Sequence, residues 1–172
     1  MQLRDDLCLD SAVRTLADIV RPAVDADDVH AREQLEVVIG LLSLMRERQA
    51  LAWRYDLDEL ARLLAFSRAL AALDARGADG ALQTLATMGA EVLDRAQTGP
   101  DEVRQASRAL REASGALAAA LYAEGEPELR ARVQRLVLDN AAEQLTRERA
   151  WFAPQGWELD PAALPPIDAL LK

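Results

Sequence analysis

In LEVVIGLLSLM, residues 35–45, apolar side chains recur at helical spacing on two sides at once. Leu35, Val38, Ile39, Leu42 and Met45 form one side, and Val37, Leu41 and Leu44 form another. A helix that is apolar almost all round at its centre is one that other helices cover. The run from Val37 to Met45 is flanked by Glu33, Glu36, Arg46 and Glu47, and it falls far short of the about 20 residues a membrane span requires. It is therefore predicted to be the buried part of a central helix that starts after the Asp25-Ala-Asp-Asp28 cluster, whose acids suit a helix N-terminus.

The pattern continues on both sides. Upstream, Leu9, Val13, Leu16, Val20 and Ala23 alternate spacings of four and three, predicting a helix over about 10–21 with Asp10 as N-cap and Pro22 stopping or kinking it. Downstream, Asp56-Leu-Asp-Glu59 has the form of a capping box and predicts a new helix burying Leu60, Leu63, Phe66, Leu70 and Leu73 and ending at Gly77. A further helix runs from about Asp79 with Leu82, Leu85, Gly89, Val92 and Ala96, and Gly99-Pro100 closes it and opens the next. There Val103, Leu110 and Leu117 recur every seven residues, as do Ala106, Ala113 and Ala120, which predicts an a/d seam with a small residue at every d. Gly125-Glu-Pro127 repeats the punctuation. The last helix, to about Ala150, carries Leu129, Val133, Leu136 and Asn140, with a second row of Val137, Ala141 and Leu145; Asn140 is placed to fix register. The expectation is an all-α protein, a compact bundle of about six helices in a single domain over 1–172, with a helical body to about 150 and an apolar, Pro-rich C-terminal tail over 151–172.

That tail holds Pro154, Gly156, Pro161, Pro165 and Pro166, so it cannot sustain a long helix. It also holds Trp151, Phe152, Trp157, Leu159, Leu164 and Ile167, which makes it too apolar to be a solvated terminus. It is expected to pack on its own body or on a partner. Trp151, Phe152 and Trp157 are the candidate partner-binding residues, because aromatic side chains dominate interaction hot spots.

The formal charge of −9 would repel nucleic acid and anionic lipid, so neither is an expected partner. Cys8 is the only cysteine, which rules out an intrachain disulfide and a cysteine-based zinc site and suits a cytoplasmic protein. The N-terminus, MQLRDDLCLD, has acids where a secretory signal needs an apolar core.

No catalytic, metal or cofactor constellation stands out. His30, the single histidine, sits near Asp27, Asp28, Glu33 and Glu36, but in the order His-x-x-Glu it cannot supply a di-iron motif, and it occupies the glycine position of a calcium loop over 25–36. Its plainer reading is a solvent-facing residue at a helix start. Cys8 lacks an orienting group or oxyanion donor and is expected to be a buried or partly buried inert thiol. Gly77-x-x-Gly80 lacks the lysine and preceding strand of a phosphate loop. The arginines at 104, 108, 111, 130, 132 and 135 have Glu102, Glu112, Glu126 and Glu128 nearby, so ordinary surface pairing is expected rather than an anion site.

The stretch LADIVRPAVDADDVHAREQLEVVIGLLSLMRER, residues 16–48, resembles in layout the start of small uncharacterised all-α bacterial proteins: a helix ending near a proline, an acidic turn and a long apolar helix. Genes of that group often neighbour kinases similar to aminoglycoside phosphotransferases and enzymes of acyl-CoA metabolism. The resemblance covers about the first fifty residues and implies an accessory role. The sequence thus leads to a non-enzymatic cytoplasmic accessory or interaction protein, a homo-oligomer or a binder of another protein, with a small-molecule-binding bundle whose cavity lies beside the central helix as the alternative.

Overall fold

The computed structural model describes residues 5–74, 80–95 and 97–171. The protein is all-α, with no strand among the described residues. Helix α1 (Asp5–Thr15) passes through a π turn at Leu16–Val20 into a short α2 (Arg21–Ala23). There follow α3 (Val29–Ala71), α4 (Gly80–Asp94), α5 (Pro100–Glu124) and α6 (Pro127–Phe152), then 3-10 turns at Ala153–Gln155 and Pro161–Ala163 and a final short α7 (Ile167–Leu170).

Two predicted boundaries and one predicted seam change. The first helix does not stop before Pro22. It begins earlier, at Asp5, and widens over Leu16–Val20, where the Arg21 N–H donates to the Leu16 carbonyl five residues back. That wider turn makes room for the Pro22 ring, which would otherwise strike the carbonyl four residues before it. The chain leaves the helix only at Val24, where ψ opens to 133°. Second, the two helices expected on either side of Asp56 are one continuous helix of 43 residues. Residues 50–56 contain neither glycine nor proline, so nothing breaks the hydrogen-bond ladder. The residues of the apparent capping box serve elsewhere: Asp58 accepts from Arg62 Nε at 2.8 Å and Glu59 accepts from Arg111 Nη2 at 2.9 Å. Third, the seam of α5 is lined at its intermediate positions by Ser107 and Ser114, which are buried with Val103, Leu110 and Leu117, whereas Ala120 is exposed. The residues are still small, but the spacing is four then three. The expected helix boundary markers Gly77 and Asp79, and Ala96, lie outside the described residues.

The chain comprises two compact units, Met1–Ala52 with Glu148–Ile167, and Trp53–Arg147 with Asp168–Lys172. In the second unit a core of Leu60 and Leu64 from α3, Leu82 and Ala86 from α4, Val103, Leu110 and Leu117 from α5 and Val133 from α6 is fully or nearly fully buried. Gly89 lets α4 come close to its neighbours, since a Cβ there would lie 3.1 Å from Leu64 Cδ2 and 3.2 Å from Leu110 Cδ1. Two polar contacts are enclosed in this apolar core. Ser67 and Ser114 share a hydrogen bond of 2.8 Å. Arg147, 1% exposed, places Nη2 3.1 Å from the buried Asp58 carboxylate, donates from Nη1 to Gln144 Oε1 at 3.0 Å and lies 4.6 Å from the centre of the Tyr55 ring.

The end of the chain is tied down by arginines of α3. In the second unit, Arg54 donates to the carbonyls of Asp168 and Leu171, and Arg62 to that of Leu170 at 2.9 Å. These are the carbonyls that a short terminal helix leaves without partners of its own.

Candidate functional site

The first unit differs from the second in how little it encloses. Among its described residues only Leu44, Ala150 and Ile167 are buried. The apolar run of α3 expected to be a covered segment is half open: Val37, Val38, Leu41 and Met45 are all exposed, Met45 at 57%. This corrects the expectation of an entirely buried centre.

Helical geometry picks out two opposed faces among the exposed residues of this part of α3, with Val37 and Arg46 between them. At about 100° per residue, Arg32, Glu33, Glu36 and Glu47 lie together within about 100°, an ordinary charged surface. On the opposite side, Gln34, Val38, Leu41, Met45, Gln49 and Ala52 lie within about 80°, and that face has no charged residue. Charged residues make up 28% of the chain. An exposed helical face without any is therefore the feature of this unit that stands out.

The face continues into a groove of about 550 Å³. One wall is α1, with Asp5, Cys8 and Leu9 at helical spacing; the floor is Leu44, Met45, Arg48, Gln49 and Ala52 of α3; Trp151, at the end of α6, closes it. Arg48 organises that end. Its Nε donates to the Trp151 carbonyl at 3.0 Å and its Nη2 to the Ala150 carbonyl at 3.3 Å, while the guanidinium lies 5.7 Å from the centre of the Trp151 ring. It thereby caps the last turn of α6 with a cation, where the helix dipole favours one. Beyond it, Gln155 Nε2 donates to the Gly40 carbonyl at 2.8 Å, Gly156 turns with φ +74°, and Arg149 grips the Glu158 carboxylate with two bonds of 2.7 and 2.8 Å. That grip holds the Glu158 carboxyl below its ordinary range.

The three candidate aromatics of the tail are separated by this arrangement. Trp151 is half-buried in the groove wall, while Phe152 and Trp157 are exposed, Trp157 at 67%, and do not line the groove. Sequence reasoning passed over Arg48, whose position 103 residues before Trp151 gives no local signal. It also misjudged Cys8, which is exposed on the groove wall rather than buried. His30 is solvent-facing. No group of three or more His, Cys, Asp or Glu side chains among the described residues is arranged to hold a metal ion, and no helix among them is long and apolar enough to cross a membrane.

The chain matches no family model, and comparisons with curated proteins and with solved structures also find no match.

Proposed function

We propose that this protein is a cytoplasmic, non-enzymatic helical accessory protein that acts by offering the uncharged face of α3 to another protein surface. One observation carries the reading. A helix with apolar residues all round is covered on only part of its circumference by its own unit, and the uncovered part bears Val38, Leu41 and Met45 without a charge among them. The exposed Phe152 and Trp157 extend the choice of anchoring residues, and the accessory role implied by the resemblance of residues 16–48 is of the same kind. Cys8, as the only cysteine, suits a reducing compartment.

The test is a photo-crosslinking amino acid placed at Leu41 and, as control, at Glu36 on the charged face. Adducts formed in the source cell from position 41 and not from 36 support the reading. Equal labelling from both, or none from either, removes it.

The groove supports a second reading, a small-molecule site, because its volume lies in the range of ligand pockets and its lining is largely apolar with Asp5, Arg48 and Gln49 as polar groups. Met45, Gln49 and Ala52 belong to both the groove and the uncharged face, so ligand and protein partner would compete. A fluorophore on Cys8 that responds to no amphipathic carboxylate or amine would dispose of this alternative.

A further inference from the structure

We infer that the partner of the uncharged α3 face is a second copy of the same chain, docked by a two-fold axis with the two α3 helices antiparallel. The inference rests on the interaction reading above and adds the identity and direction of the partner.

A two-fold interface must be complementary to itself. Read from its centre between Leu41 and Leu42, and taken with the half-buried Leu42 and Ala31 at its edge, this face is: Leu42 answers Leu41, Met45 answers Val38, Gln49 answers Gln34 and Ala52 answers Ala31. The spacings are three, four and three residues outward in both directions. All eight positions fall within about 100° of the helix circumference, at about 100° per residue. In an antiparallel pair centred there, apolar side chains meet apolar ones in the middle, amides meet amides outside them and alanines meet at the ends. Gln34 and Gln49 can then exchange side-chain hydrogen bonds, so neither amide is buried unsatisfied. The contact runs from residue 31 to 52, about 32 Å at 1.5 Å per residue.

The symmetry of the pattern selects antiparallel over parallel, because a two-fold axis across the helices sets each position against its counterpart on the other side of the centre. The antiparallel pair also opposes the helix dipoles, which a parallel pair would align. In the antiparallel register, Leu35 and Val38 of the partner subunit come over the groove floor at Met45 and Arg48. The groove therefore receives part of the partner helix.

The contact is one helix wide and each chain carries −9, so the association is of micromolar strength and tightens as salt screens the net repulsion. The experiment is sedimentation velocity on the full chain from low to high micromolar concentration. It is repeated with Met45→Glu and Met45→Leu and paired with cross-link mapping of a Cys8→Ser chain carrying Gln34→Cys and Gln49→Cys. The expected result is a species of twice the 18.8 kDa chain mass. Met45→Glu weakens it by at least about tenfold with the far-UV circular dichroism unchanged, and Met45→Leu does not. A short bismaleimide joins 34 to 49 between chains, not 34 to 34. The proposal is overturned by a monomer at every concentration, by a dimer indifferent to Met45→Glu, or by 34-to-34 bridges. If the chain is a monomer, binding of the apolar dye bis-ANS separates the two levels. Binding lost in Met45→Glu removes the second copy and leaves the interaction reading standing, and no Met45-dependent binding removes both.

Discussion

Asp58 and Arg147 form a buried ion pair whose two halves should respond unequally to mutation. The Asp58 carboxylate has two cationic neighbours: Arg147 Nη2 at 3.1 Å and Arg62 Nε at 2.8 Å, with the Arg62 side chain partly open to solvent. Arg147 is fully enclosed, and Asp58 is the carboxylate paired with it; its remaining polar and aromatic contacts are Gln144 and the Tyr55 face. At an effective dielectric constant of about 20, charges 3.1 Å apart attract by about 5 kcal/mol, an energy opposed by the desolvation of both groups. Asp58→Leu leaves the enclosed guanidinium without its counter-charge and should cost about 3–5 kcal/mol, softened by a cation–π contact worth up to about 2 kcal/mol. Arg147→Met leaves Asp58 paired with Arg62 and fills similar space, so it should cost only about 1–2 kcal/mol. The double variant removes both charges together and should lie well below the sum of the singles, with a coupling of about 2–3 kcal/mol. Urea unfolding followed at 222 nm measures all three. In a thermal scan the Asp58 variant should melt about 10 °C below the native chain, at roughly 3 °C per kcal/mol for a chain of this size. Equal costs for the two single variants, or strict additivity in the double, would refute the assignment of Arg62 as the second counter-ion.

Other perturbations test the parts that shape the first unit and one end of the second. Gly156→Ala places a Cβ on a backbone with φ +74° and should cost about 1 kcal/mol in urea unfolding, even though the position has open space around it. Arg48→Ala removes two charge-assisted hydrogen bonds and the cation over Trp151, for a loss of about 2–4 kcal/mol and a red shift of tryptophan emission as the indole meets water. Burial raises the Asp56 carboxyl above its ordinary range, with Arg104 opposing the shift. The folded state therefore binds this proton more tightly than the unfolded state, and the resulting stabilisation, complete in acid, is lost as pH rises through the raised value. Asp56→Asn should accordingly raise the melting temperature at neutral pH, and the gain should vanish in acid; a gain that persists in acid would show that desolvated charge is not the cause.

Helical class was legible because the 3.6-residue period is long and repeated, and Gly99-Pro100 and Gly125-Glu-Pro127 mark their breaks with residues that a helix interior rejects. Asp56-Leu-Asp-Glu59 was misleading for the same physical reason that makes capping boxes readable elsewhere. An acid three residues before a glutamate satisfies backbone N–H groups only where the ladder is already broken, and residues 50–56 give no reason to break it. Arg147 was invisible because it continues the row Leu129, Val133, Leu136, Asn140 with a residue type that sequence reading assigns to solvent. Only its pairing with Asp58, 89 positions away on α3, makes that burial tolerable. Of the tail aromatics, Trp151 reached a defined setting through Arg48, a contact that local spacing cannot encode.

The reading of residues 35–45 shows how such a mismatch can be informative. Their all-round apolar pattern requires cover on every side, and the structure supplies it only in part: Leu44 is buried and Gly40 receives Gln155 of the tail, whereas Val37, Val38, Leu41 and Met45 stay exposed. A sequence under no demand for further cover would be expected to place lysine, arginine or glutamate on that arc, as this one does on the opposite face with Arg32, Glu33, Glu36 and Glu47. Of the exposed apolar residues in this run, Val38, Leu41 and Met45 share one stripe of the helix, and that stripe, together with the half-buried Leu42, reads the same from its centre outward in both directions. If the stripe served an unrelated partner, nothing would relate Gln34 to Gln49 or Ala31 to Ala52. A two-fold contact requires each of those correspondences, so exchanging Gln49 for leucine while leaving Gln34 in place should weaken self-association through the amide left without its match, whereas changing both to leucine should restore it.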